Sequence, residues 1–322
     1  MTDPSASPSE PTASPDGAPA ATLTMASGGW VLVAMVIVCA ALLTWALASV
    51  WSGQRPIGDG VSVESYGFTL EPMLVTVEGT LVSSGNPRDF LQTLDEPARS
   101  PGREVAEINR RERGKFLVPT DRVVGVMVNG AARAYPLRVL NAHEVVNDTL
   151  GEEPIVIVYS PLGDCATVHS RRLGDRSPEF GVSGLLLNSN TVIYDRPDAE
   201  SSSGLDEPGA SLWSPLEDRA LCGPAAAADM RLTPIPGVQV MAWSDWLARH
   251  PETDVVRVDP EMAKRTKKFD YRRYWSRGEL KFPVDPLPGS GSASGDTDPD
   301  LPLMAPVVVV DTGSSRVVYP IA

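Results

Sequence analysis

The stretch RVVGVMVNGAARAY, Arg122 to Tyr135, decides how the rest of the chain is read. Two apolar runs flank Asn129-Gly130, the dipeptide that fits a two-residue type I′ turn with positive φ at both positions. An antiparallel hairpin is therefore expected over 122–135. Neighbouring segments share its character. Ile155 to Tyr159 is a β-branched run expected as a buried strand, and Cys165 to Leu173 as a more exposed one. Glu179 to Leu187 and Thr191 to Tyr194 form another strand pair around Asn188-Ser189-Asn190, and Val307 to Val310 with Arg316 to Tyr319 a closing hairpin. Tyr66 to Val82 allows one or two strands. The fold class expected is a β-rich α+β fold, mainly antiparallel sheet of barrel- or sandwich-like form with a few short helices, preceded by one transmembrane helix.

The helices expected are few. Glu104 to Lys115 reads as a short polar helix closed by Gly114. Pro136 stands at a favourable first helical position, and Leu137 to Leu150 follows as a helix stopped by Gly151. On its wheel Val139, Ala142, Val146 and Leu150 share one face, with Asn141, Glu144 and Asp148 opposite. Ser244 caps a helix from Asp245 to His250, ended by Pro251.

Trp30 to Trp51 reads WVLVAMVIVCAALLTWALASVW, without one charge. About 20 apolar residues at ~1.5 Å each span a bilayer core, and indoles favour its interfaces. A single transmembrane helix over 29–51 is expected. The alternative is a cleaved signal peptide with Ala46-Leu47-Ala48 before Ser49, but the preceding tail has no Lys or Arg and carries Asp3, Glu10 and Asp16. Residues 1–28, rich in Pro, Ser, Ala and Thr, are expected to be a disordered tail. Residues 52–60 read as a linker and 61–322 as one globular domain, with a loop insertion at 198–209 and a flexible acidic loop at 289–300. Arg55, on the C-terminal side of the span, weakly favours a cytoplasmic domain.

The net charge of −13 excludes a protein whose main work is coating nucleic acid. The partners expected are the membrane, through one helix, and a protein or small molecule. Lys264, Arg265, Lys267, Lys268, Arg272, Arg273 and Arg277 form a basic cluster interleaved with Phe269, Tyr271, Tyr274 and Trp275. It reads as a solvated surface with its aromatics turned inward, or as a contact for anionic headgroups or an acidic partner.

Read in order, RAYPLRVLNAHEVVND (133–148), the Pro161-Leu162 turn, FGVSGL (180–185) and SLWS (211–214) resemble a bacterial family of domains of unknown function, DUF3179, over roughly Tyr66 to Asp285. Export signals common among its members imply an extracytoplasmic domain, the orientation favoured here. Where many members have a cysteine after Pro-Leu, and often another just before it, this chain has Gly163 and Ser160. That departure weakens any metal or redox role carried over from the turn.

The candidate ligand-binding residues are Asn141, His143, Glu144, Asp148, Asp164 and Cys165. Imidazole plus thiolate, with a carboxylate nearby, is a donor set for a transition metal, so His143 and Cys165 are the candidate metal ligands, with Glu144 beside them. The competing reading makes His143 a buried, hydrogen-bonded anchor of its helix. Asn141, Glu144 and Asp148 are either a ligand-orienting stripe or a solvated face. Asp164 is either an acid in a turn or a residue bonding its own backbone. Cys165 and Cys222 are candidates for a disulfide in an extracytoplasmic domain, or are free thiols. Ser183 lies in Gly181-Val-Ser-Gly-Leu185, where the second Gly is misplaced for a nucleophile elbow, so a structural bend is expected. Three functions stay open: an envelope binding or interaction module, a metal-dependent or redox enzyme using His143, Glu144 and Cys165, and an acid/base enzyme on Glu144 and Asp164.

Overall fold

The computed structural model describes residues 29–52, 56–73, 80–111, 116–196, 210–258, 271–284, 304–311 and 316–321, without the side chains of 32, 45–52, 309, 311 and 316. The 1–28 tail, the 198–209 insertion, Lys264 to Phe269 of the basic cluster and the 289–300 loop lie outside these residues. Two units separate at Arg55 and Pro56.

In the first unit, α1 (Gly29–Ser52) has no acid in its first turn and no base in its last. It coincides with the expected span. Among the described residues, no helix is long and apolar enough to cross a membrane.

The second unit is β-rich. Its strands run β1 (Leu81–Ser83), β2 (Leu94–Asp95), β3 (Arg99–Pro101), β4 (Arg122–Val128), β5 (Ala131–Pro136), β6 (Val145–Leu150), β7 (Glu153–Ser160) and β8 (Cys165–Ser170). They continue with β9 (Phe180–Leu187), β10 (Asn190–Asp195), β11 (Leu212–Ser214), β12 (Arg219–Cys222), β13 (Thr233–Pro234), β14 (Gln239–Ala242), β15 (Asp254–Val256), β16 (Val307–Asp311) and β17 (Arg316–Pro320). Three five-stranded sheets result, with orders β1-β9-β10-β11-β12, β13-β8-β7-β6-β2 and β14-β4-β5-β15-β3, beside the hairpin β16-β17. Only β2–β6 and β5–β15 pair in parallel among the described ladders.

Side-chain alternation in β7 shows how the sheets stack. Ile155, Ile157 and Tyr159 share a core with Val124, Val126 and Tyr135 of the β4–β5 sheet. Val156 and Val158, on the opposite face, share another with Phe180, Val182, Ile193 and Trp213 of the β9–β11 sheet. The sheet containing β7 is thus the middle layer, buried on both faces, which is why 155–159 reads as an unbroken apolar run. The outer face of the β9 sheet is covered by Tyr66 and Phe68, and that of the β4 sheet by Trp243, Trp246, Val105 and Leu117.

Several sequence expectations hold. β4 and β5 form the expected hairpin, with φ of 50° at Asn129 and 82° at Gly130. β7, β8, β9, β10 and the β16–β17 pair fall where expected. α2 (Val105–Arg111) is the polar helix, and residues 112–115 lie outside the description. The long helix from Leu137 to Leu150 is a correction. α3 (Leu137–His143) ends early, and Val145 to Leu150 is a strand paired along its length with β7. Val145, Val146 and Thr149 are β-branched, and both faces of this segment find a core, so the sheet outcompetes the helical period. α4 (Trp243–Arg249) begins before Ser244, whose hydroxyl meets the Asp245 carboxylate instead of capping the helix.

Candidate functional site

Glu144 sits where α3 becomes β6, with φ 57° and ψ −37°. This lies near the rare γ-turn region, a backbone that costs a non-glycine residue about 1–3 kcal/mol. Two hydrogen bonds hold it there. The Glu144 N–H donates to Leu140 O (2.7 Å), and the Tyr159 N–H donates to Glu144 O (2.8 Å). The peptide is thereby clamped between the helix and the middle sheet, and its side chain is aimed toward the β9–β10 layer. There the Thr191 hydroxyl donates to Oε2 at 3.0 Å. Among the described residues Thr191 is the one hydrogen-bond donor to this carboxyl. Burial pushes the carboxyl up to about 7, against the lowering effect of that hydroxyl.

The carboxyl lies in the wall of a cavity of about 90 Å³ between the middle sheet and the β9 sheet. Phe90, Val182, Leu185, Leu186, Pro161 and Leu162 give apolar walls, and Ser84, Asn86 and Thr191 add polar atoms. Gly184, at φ 81°, is obligatory at one wall, because a Cβ there would lie 2.6 Å from Tyr66 Cε1 and 2.8 Å from Asn86 O. The 271–284 segment forms the remaining wall with Tyr271, Lys281 and Phe282. It is fixed by two bonds, Trp275 Nε1–H to Pro161 O (2.8 Å) and Ser189 Oγ–H to Phe282 O (3.1 Å). Burial, then the Glu144 charge, pushes the Tyr271 phenol up to about 12, so it stays a neutral hydroxyl.

The other candidates are dispersed. His143 is buried and its Nδ1–H donates to Gln92 O at 2.6 Å. Its Nε2 is buried without a partner, and burial lowers its pKa, so the ring is a neutral anchor at the end of α3. Asn141, on α3, has a buried and unpartnered Oδ1. Asp148 does not share a face with Glu144. It lies on β6 facing the β4–β5 sheet, where it accepts from Arg133 Nη1 at 2.5 Å and from Tyr135 Oη at 2.7 Å. The expected stripe of Asn141, Glu144 and Asp148 is therefore not one surface, because the helix that would align them ends at His143.

Asp164 and Cys165 occupy the β7–β8 turn beside Pro161 and Leu162 but do not line the cavity. Asp164 accepts from Tyr159 Oη at 2.6 Å and from Arg122 Nη1 at 2.9 Å. The Cys165 thiol donates to Asn190 Oδ1 at 3.4 Å, and burial with the Asp164 charge pushes it up to about 11. Among the described residues no group of three or more His, Cys, Asp or Glu could hold a metal ion. The donor set His143, Glu144 and Cys165 thus lacks the arrangement a transition metal needs. Of the two readings of Cys165 and Cys222, the structure has the free thiols, which lie on different sheets.

Sequence reasoning missed Thr191 and Tyr271. A signal existed for Thr191, a polar residue at an inward position of an otherwise apolar strand. Tyr271 was legible only as one of several aromatics expected to turn inward, as Trp275 does. Ser183 is structural, as expected, since its buried hydroxyl donates to Val192 O (2.5 Å) and accepts from the Leu185 N–H (3.0 Å).

The DUF3179 family, described as protein of unknown function, matches residues 101–322, and the chain belongs to it. The match begins later than Tyr66 and runs to the end of the chain. No curated protein and no solved structure matches it. The segments behind the resemblance acquire physical roles. Arg133 and Tyr135 are tied to Asp148, Asn147 bridges Asp95 and Phe180, and Ser211 and Trp213 donate to Asp195. The bonds of Arg133 and Tyr135 to Asp148 and of Asn147 to Phe180 join layers, whereas those to Asp195 tie neighbouring strands of the β9 sheet. Within these segments Glu144 lines the cavity together with Pro161, Leu162, Val182, Gly184 and Leu185.

Proposed function

We propose that this chain is a binding module anchored at the cell envelope by one membrane-spanning helix, and that the cavity walled by Glu144 is its small-ligand site. The observation that carries the site is Glu144 itself: a buried carboxyl on a strained backbone, supplied with one donor among the described residues, at a partly open and mostly apolar cavity. Sites for small molecules have this composition, apolar walls with a few convergent polar groups and a perturbed ionisable residue. The charge-free run Trp30 to Trp51 supports the anchor, and the export signals common in the family support an extracytoplasmic domain.

Two measurements test the proposal. A small-molecule library screened by thermal shift on the full-length protein should give hits that Ser84→Phe, which fills the cavity rim, abolishes. Hits indifferent to Ser84→Phe would remove the site. Alkaline extraction of membranes should leave the protein in the pellet, and its release to the supernatant would remove the anchor.

A second reading, an acid/base enzyme, is favoured by one specific fact. A carboxyl at about 7 is matched to proton transfer near neutrality. Asp164 is not its partner, being turned to Arg122 and Tyr159 outside the cavity. A turnover assay on any ligand identified separates the two, since a binding module releases it unchanged.

A further inference from the structure

Resting on the reading of this cavity as a ligand site, we propose that it takes a primary alkylammonium group, with Glu144 as counter-charge and the apolar walls around a short methylene chain. The first reason is an unmet charge. The Glu144 carboxyl can accept about four hydrogen bonds, and Thr191 supplies one. A buried carboxylate without a cationic partner is costly, and nothing on the faces around it supplies one among the described residues. β10 presents Thr191, and the 271–284 segment presents Tyr271, whose hydroxyl stays neutral. The one cationic residue in the lining is Lys281, and its Nζ lies over the Phe282 ring, 5.0 Å from the centroid.

The second reason is shape. About 90 Å³ has room for a chain of roughly three to five non-hydrogen atoms. Leu185, Leu186, Val182 and Phe90 reward methylenes. The Thr191 oxygen, hydrogen-bonded to the carboxyl, and the phenol of Tyr271 in the same lining are acceptors for an ammonium's other N–H groups. A guanidinium, wide and planar, fits such a space less well than a compact ammonium. The same chemistry reaches the site from two sources, a free alkylamine or a lysine side chain of a peptide.

The test is calorimetric titration of the full-length protein, purified with detergent, using n-butylamine, 1-butanol and Nα-acetyl-lysine methylamide. Butylamine should bind at least about tenfold more tightly than butanol, the margin of one charge-assisted hydrogen bond. Glu144→Gln should erase that margin, and Ser84→Phe should abolish binding altogether. In the unmutated protein the affinity should rise between pH 6 and 8, as the carboxyl ionises while the amine stays charged. If only the lysine derivative binds, the source is a peptide; if butylamine binds equally, a free amine suffices. Equal binding of butanol, an unchanged margin in Glu144→Gln, or affinity flat with pH overturns the amine assignment and leaves the cavity as a ligand site. Binding that survives Ser84→Phe, or no binding by any probe, overturns both.

Discussion

The Thr191 hydroxyl and the Glu144 carboxyl, 3.0 Å apart, join the β9–β10 layer to the junction of α3 and β6 through a single hydrogen bond. That bond favours the ionised carboxyl, while burial favours the neutral one, and burial wins. Thr191→Val should therefore raise the Glu144 pKa above about 7. Side-chain carbonyl chemical shifts followed through a pH titration measure this, and an unchanged or lower midpoint would contradict it.

The same group makes stability depend on pH. Its folded pKa is about 7 against 4.5 for an ordinary glutamate. The folded state holds the proton more tightly, so this contribution is fully present below pH 4.5 and is lost as pH rises through 7. The loss is about 3 kcal/mol in order of magnitude. Glu144→Gln removes it, so the variant should gain on the parent protein between pH 4.5 and 8 in urea unfolding. Parallel stability curves would show that the carboxyl is not buried as described.

Arg133 and Asp148 form the most buried ion pair described, at 2.5 Å, with Tyr135 sharing the same carboxylate oxygen. Asp148→Ala strands a guanidinium between two sheets and should cost about 3–5 kcal/mol. Adding Arg133→Met should recover much of that loss. Additive losses in the double variant, read from chemical denaturation, would mean the two side chains act independently.

Gly184→Ala places a Cβ against Tyr66 and two backbone oxygens, at a φ that alanine resists. A loss of about 2–4 kcal/mol is expected. Gly130→Ala, also at positive φ but with open space around its Cβ, should cost less. The comparison of melting temperatures separates crowding from backbone strain.

Cys165 and Cys222 are both pushed up to about 11, mainly by burial. At pH 8 only about one in a thousand of each is thiolate. Peptide mapping after brief alkylation of the native protein should find both unmodified, and both modified after denaturation. Rapid native labelling of Cys165 would revive a reactive role for that turn.

The strand content was legible because most strands here announce themselves locally, through β-branched runs, Asn-Gly and short turn clusters. The 122–135 hairpin shows this best, its turn chemistry and register being set by neighbours in sequence. The failure at Leu137 to Leu150 is instructive for the opposite reason. Its helical wheel was internally consistent, but Val145 to Leu150 is claimed by β7 and by cores on both sides, information that no local period contains. Glu144 is legible in the sequence as a candidate, beside His143 and Cys165 for a metal, in a stripe with Asn141 and Asp148, or with Asp164 for acid/base work. What the sequence could not supply was its company: Thr191, Tyr271 and Leu186 come from segments 40 or more positions away.

The short strands β1, β2 and β3 lie within residues 81–101, and each closes the edge of a different sheet, through β9, β6 and β15. Some 20 residues therefore act as a clasp stitched once into every layer. The region matched by the family begins at 101, where this clasp is ending. A fragment cut at that boundary would bare three ladders of unpaired N–H and C=O groups at once, each a template for intermolecular pairing. The stretch least visible to family comparison is thus the one that keeps the layers from seeking partners in neighbouring molecules.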